Sequence, residues 1–112
     1  MPKDRTELAK AVYRAFAAAD RDAIEALIAP EFSFTSPADE AGLDRTGYFE
    51  RCWPNAGNLA AFEFVRLIEH GDEVVVTYEA TRQDGSRFRN TEALTFAGDV
   101  QTCAEVYFGW NL

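Results

Sequence analysis

An α+β domain is what this sequence predicts, and two observations carry that reading. Up to about residue 54 the apolar residues recur at helical spacing, apart from one short alternating stretch. From residue 60 onward the period is two, with turn signals at His70-Gly71-Asp72-Glu73, Gln83-Asp84-Gly85-Ser86 and Ala97-Gly98-Asp99. Helices followed by an antiparallel meander are the α+β order. With 112 residues, 47% of them hydrophobic, the chain suits one domain over residues 1–112 with a modest core.

The elements follow in order. Asp4 with Glu7 three residues later resembles a capping box, and Leu8, Val12, Ala15, Phe16 and Ala19 recur as one face, so a helix is expected over about 4–19. Asp22 with Glu25 repeats the cap. Ile24, Leu27 and Ile28 give the second helix a short apolar face, and Pro30 should end it. Phe32 and Phe34 alternate in a short strand that stops at Pro37. Ala38–Arg45 reads as a polar loop, and Thr46–Pro54 as a third short helix. Four strands are then expected at about 60–69, 73–82, 87–97 and 100–109.

Composition excludes several classes of function. A net charge of −8 repels phosphate backbones, and Arg87 with Arg89 makes no basic stripe, so no nucleic-acid partner is expected. No apolar run approaches the roughly 20 residues of a membrane span. Met1-Pro2-Lys3-Asp4 leads into a helix without an apolar signal segment, so a cytoplasmic location and no membrane partner are expected. Cys52 and Cys103 are too few for a disulfide framework. The single histidine, His70, sits in a turn, and no metal site or cofactor is expected.

The order of elements carries a resemblance. A helix, a capped helix with Asp22–Phe32 (DAIEALIAPEF), the strand FSFTSP, the helix YFERCWP and a meander ending AEVYFGWNL resemble the SnoaL-like, ketosteroid-isomerase-like branch of the nuclear transport factor two superfamily. The resemblance covers almost the whole chain. It implies a cone: a curved antiparallel sheet wrapped around three N-terminal helices, with an internal cavity on its concave face. It also implies a homodimer and a small-molecule ligand. It leaves the activity open, because one fold hosts many chemistries.

Turn lengths suggest which side chains face that cavity. A two-residue Asp84-Gly85 turn sets Thr77 opposite Glu92 and Glu79 opposite Asn90. A Gly71-Asp72 turn sets Arg66 opposite Thr77. A Gly98-Asp99 turn sets Glu92 opposite Glu105 and Asn90 opposite Tyr107. Arg66, Thr77, Glu92 and Glu105 would then form one polar row among Phe62, Phe64, Phe88, Leu94 and Phe96 on the concave face. A single β-bulge would flip everything beyond it. Val74, Val76, Tyr78, Ala80, Val106 and Phe108 would lie on the convex face, which a second copy of the chain would cover. Two opposed carboxylates in a poorly solvated cavity cannot both ionise cheaply, so one should hold a proton unless Arg66 compensates.

That row suggests cofactor-free acid/base chemistry on a small, apolar organic substrate: isomerisation, dehydration, cyclisation or hydrolysis. The resemblance sets Glu92 where ketosteroid isomerase carries a protonated aspartic acid that donates to the developing oxyanion. The family's aspartate base before a proline reads Ser36-Pro37 here, so the base is sought elsewhere, at Glu105 or Asp39. Arg66 is expected as an electrostatic partner, Asn90 as a ligand contact, and Tyr13, Trp53 and Tyr107 as pocket walls. The alternative is a non-catalytic binding or dimerisation module whose polar row is structural.

Overall fold

Each helix begins at an aspartate whose carboxylate caps the first turn. The computed structural model describes residues 4–112, and Met1–Lys3 lie outside them. Asp4 accepts from the Thr6 amide at 2.8 Å and opens helix α1, Arg5–Ala17. Asp20, not Asp22, accepts from the Ala23 amide at 3.1 Å and opens α2, Arg21–Leu27. Asp44 accepts from the Gly47 amide at 2.7 Å and opens α3, Arg45–Arg51. A short 3-10 turn at Trp53–Asn55 follows, with Pro54 in its first turn.

Two expectations about the first half change. The second helix ends at Leu27, and Pro30 sits inside strand β1, Ile28–Ser36. The polar stretch after Pro37 is not a loop but strand β2, Asp39–Asp44, which pairs with β1. It is an edge strand, bonded on one side only, so Asp and Gly side chains that disfavour strand interiors are tolerated there.

The second half follows the expected meander: β3 Leu59–His70, β4 Glu73–Arg82, β5 Arg87–Ala97 and β6 Val100–Asn111. The six strands form one sheet in the order β2-β1-β6-β5-β4-β3. Neighbours are antiparallel except for β1, which runs parallel to β6. Extra residues at Val65, Thr102 and Gly109 interrupt the ladders as β-bulges. Bulges bend and twist a strand, which suits a curved, unclosed sheet.

The registers differ from expectation where turns and bulges intervene. Gly71-Asp72 is a two-residue turn, and Arg66 does face Thr77. Between β4 and β5 the loop holds three residues, Gln83-Asp84-Gly85, closed by the Arg82 amide on the Ser86 carbonyl at 2.8 Å. A two-residue type I′ turn would need positive φ at both Asp84 and Gly85, and only Gly85 has it, at 89°. Asp84 instead accepts from the Ser86 amide at 2.9 Å. One extra residue turns β4 over relative to β5, so Glu92 faces Val76, and Thr77 faces Thr91. The Gly98-Asp99 turn is as expected, but the Thr102 bulge turns β6 over as well. Glu92 therefore faces Val106, and Glu105 faces Ala93.

The inner face consequently carries Val74, Val76, Tyr78 and Ala80 together with Leu94, Ala104 and Val106. All seven are buried. Leu8 and Ala9 of α1 and Ile24 of α2 belong to the same core cluster. No helix among the described residues is long and apolar enough to cross a membrane.

Candidate functional site

Glu92 lies on β5 between two valines, Val76 and Val106, and nothing cationic faces it across the ladder. It lines a pocket of about 520 Å³ between the inner face of the sheet, α1 and α3. The walls are largely aromatic and aliphatic, with Phe16, Phe34, Phe62 and Phe88 among them. Burial pushes the Glu92 carboxyl above its ordinary range, against the opposing pull of the Tyr78 and Tyr13 hydroxyls. Its remaining accessible surface faces the pocket that it lines.

A directed set of hydrogen bonds fixes this acid. The Gly109 amide donates to Asn90 Oδ1 at 3.1 Å, which orients the Asn90 side chain. Asn90 Nδ2 in turn reaches Tyr78 Oη at 3.5 Å, the long end of the range. Tyr78 Oη donates to Glu92 Oε2 at 2.9 Å. Oε2 is thereby an acceptor, which leaves Oε1 as the oxygen that would carry a proton when the carboxyl is protonated.

Tyr13 completes the cluster from α1. Its ring lies 5.2 Å from that of Tyr78 and edge-on to Phe64 at 5.6 Å. Its hydroxyl is buried and makes no hydrogen bond of normal geometry, although the Glu92 charge is near enough to raise its pKa further. Burial, the larger cause, and then the nearby Glu92 charge hold Tyr13 and Tyr78 well above the ordinary tyrosine value, so both are donors at neutral pH. Tyr48, raised by burial first, lines the same pocket.

The opposite wall comes from the β1–β2 hairpin and α3. Asp39 Oδ1 is ion-paired with Arg51 Nε at 2.8 Å, and both residues line the pocket. Ser36 is buried, and its hydroxyl accepts from the Ala38 amide at 3.2 Å, which ties it into the turn. Burial, then the Asp39 charge, push the Cys52 thiol up to about 11, so it is no nucleophile at neutral pH.

Of the residues singled out from the sequence, the pocket brings together Tyr13, Asp39, Asn90 and Glu92. Trp53 does not line it. It packs edge-on against Phe16 at 5.7 Å and Phe49 at 5.8 Å. Arg66, Glu105 and Tyr107 lie on the outer face, exposed, because the loop and the Thr102 bulge reverse the expected alternation. Tyr107 donates there to Glu105. The expected carboxylate pair therefore does not form, and the raised Glu92 value comes from burial rather than from a second acid. Tyr48, read from the sequence as cavity wall, does line the pocket, whereas Tyr78, Arg51 and Arg82 were missed as pocket residues. For Tyr78 a signal existed: Asp84 two residues before Ser86 favours a side-chain-closed three-residue loop, which puts Tyr78 beside Asn90. Among the described residues no three His, Cys, Asp or Glu side chains cluster as a metal site would require.

The curved sheet carrying helices on its inner face defines an α+β fold of the nuclear transport factor two type. Within it the chain belongs to the SnoaL-like domain family, whose model matches residues 9–102. No curated protein matches the sequence. Among solved structures, a candidate ketosteroid isomerase from Kribbella flavida DSM 17836 is 16% identical with a TM-score of 0.79, covering 93% of this chain and 76% of its own. A candidate polyketide cyclase from Sinorhizobium meliloti is 18% identical with a TM-score of 0.73, covering 89% and 93%. TerC, co-crystallised with polyporic acid, is 23% identical with a TM-score of 0.68, covering 92% and 89%. At such identities the similarity is one of fold.

Proposed function

We propose that the pocket takes a small, largely apolar molecule bearing a carbonyl group, and that the protein acts on it by cofactor-free acid/base chemistry. One observation carries this reading: a desolvated glutamic acid, oriented by Tyr78, stands beside the unpartnered Tyr13 hydroxyl in an aromatic pocket. A neutral acid and a hydroxyl can both donate to a carbonyl oxygen. When a base removes a proton from the adjacent carbon, the electron pair moves onto that oxygen, and the two donors hold the charge in a poorly solvated site. Asp39 is the pocket's other carboxylate and the candidate base, with Arg51 holding it in position. The outer sheet face is taken to be covered by a second copy of the chain.

Calorimetric titration of 4-acetylbiphenyl and of 4-ethylbiphenyl, which has no carbonyl, tests the reading. The ketone is expected to bind wild type at least about tenfold more tightly, the difference of one good hydrogen bond. Glu92→Met and Tyr13→Phe should each shrink that preference, while Glu92→Gln, which can still donate, should keep it. Tyr13→Phe should change stability little, because the hydroxyl makes no hydrogen bond of normal geometry with its neighbour Glu92. Equal binding of the two compounds by wild type sinks the proposal.

A further inference from the structure

A second, smaller pocket of about 270 Å³ adjoins the first and shares Arg82, Phe88, Asn90 and Phe108 with it. Gly109, Trp110 and Asn111 at the end of β6 close its far side. The two are chambers of one groove, and Arg82 stands at the junction. Its guanidinium lies 4.2 Å over the Phe88 ring, which holds the plane of the fork in place. Its one side-chain hydrogen bond among the described residues is from Nη1 to Ser86 Oγ at 3.3 Å, so most of its five N–H donors are free.

Arg82 stands apart from the chain's other cations. Arg5, Lys10, Arg21, Arg51, Arg87 and Arg89 each have a carboxylate within 4 Å. Among the described residues Arg14, Arg45, Arg66 and Arg82 have none, and of these only Arg82 lines these two chambers. In a chain with 19 acidic residues and 11 basic ones, a half-buried arginine at a pocket junction with no carboxylate within 4 Å, Asp84 of the same turn acting on it only at longer range, is an exception. A planar fork with free donors matches a carboxylate or another planar oxyanion.

We propose that the ligand is an acid, with its carbonyl at Glu92 and an anionic group at Arg82. The inference rests on the carbonyl-binding reading above and adds the second half of the ligand. Phe88, under Arg82, lies four residues along β5 from Glu92 on the same face, roughly 13 Å at the usual rise of a strand. The ligand thus carries its carbonyl and its anionic group on opposite ends of an elongated apolar body about two aromatic rings long. A carboxylate at Arg82 would displace no ion pair within 4 Å, since among the described residues Arg82 makes none.

The probe pair is 4′-acetylbiphenyl-4-carboxylate and its primary amide, which differ in charge and little in shape. Titrated calorimetrically against wild type, the carboxylate is expected to bind at least about tenfold more tightly than the amide. Arg82→Gln should bring the two to equal affinity, chiefly by weakening the carboxylate. Glu92→Met should weaken both compounds by the same factor and leave their ratio intact. A wild type that does not prefer the carboxylate overturns the inference, as does a preference that survives in Arg82→Gln. A ratio that behaves as expected while Glu92→Met and Tyr13→Phe leave both affinities unchanged keeps Arg82 and overturns the carbonyl reading instead. No binding of either compound to wild type overturns both.

Discussion

Glu92 gives up the freely solvated carboxylate that an exposed glutamate enjoys, and the folded chain carries the consequence as a pH dependence. Its native value is raised above the ordinary 4.5 by burial. Between those two values the native state binds a proton that the unfolded state has lost, so stability falls as pH rises through that window and levels off above it. Asp4 and Asp84 act in the opposite sense, their values being lowered chiefly by hydrogen bonds from Thr6 and Ser86. Both remain in Glu92→Gln, so the difference between variant and wild type isolates Glu92. That difference is expected to move in the variant's favour as pH rises, in urea unfolding followed from about pH 4 to 8. A flat difference would mean that Glu92 titrates normally. At this scale the sequence was informative: alternation alone put Glu92 and Asn90 on the side of Phe88 and Leu94. Its expected proton-sharing with Glu105 was a correct chemical worry attached to the wrong neighbour.

At the scale of the element, what the sequence concealed was not the strands but their joints. Strands β4 and β5 begin and end where periodicity placed them, and the helices differ from expectation chiefly at their ends. A single extra residue in the Asp84 loop and another at Thr102 were enough to put Tyr78 and Val106 on the inner face in place of the expected Thr77 and Glu105. Side-chain alternation has no memory of an inserted residue, so the error passes intact down the rest of the strand. The Gly109 bulge is the joint whose sequence does show its function. A Cβ at that position would fall 1.9 Å from the Arg89 carbonyl oxygen, a backbone atom that cannot swing aside. Gly109→Ala is expected to destabilise the protein by about 1–3 kcal/mol. It should also disturb Asn90, whose carbonyl takes the Gly109 amide, and through it Tyr78. Thermal unfolding reads the first effect, and the ketone affinity reads the second. Unchanged stability would mean that the bulge relaxes freely.

At the scale of the whole molecule the outer face of the sheet exposes apolar side chains. Ile68 and Tyr107 are more than half exposed there, at 52% and 53%. Arg66 on β3 and Glu105 on β6 stand on either side of β4 and β5, so a two-fold axis through the middle of the face would bring opposite charges together. A homodimer is expected in light scattering after size-exclusion chromatography, and Ile68→Lys with Tyr107→Lys should leave a monomer. A wild-type monomer at concentrations of tens of micromolar would end that expectation.

The strand order has a consequence for how the molecule comes into being. Strand β6 follows all the others in sequence, yet it lies inside the sheet and is what joins the β1–β2 hairpin to the rest. During synthesis the first two strands therefore wait, with the β1 edge unpaired, until β6 has been made. Contacts so distant in sequence close slowly. The interval in which a hairpin with an open edge coexists with an unfinished sheet is when another unfinished copy could take the place of β6. A chaperone that shields the β1 edge during that interval would raise the yield of folded protein without touching its final stability.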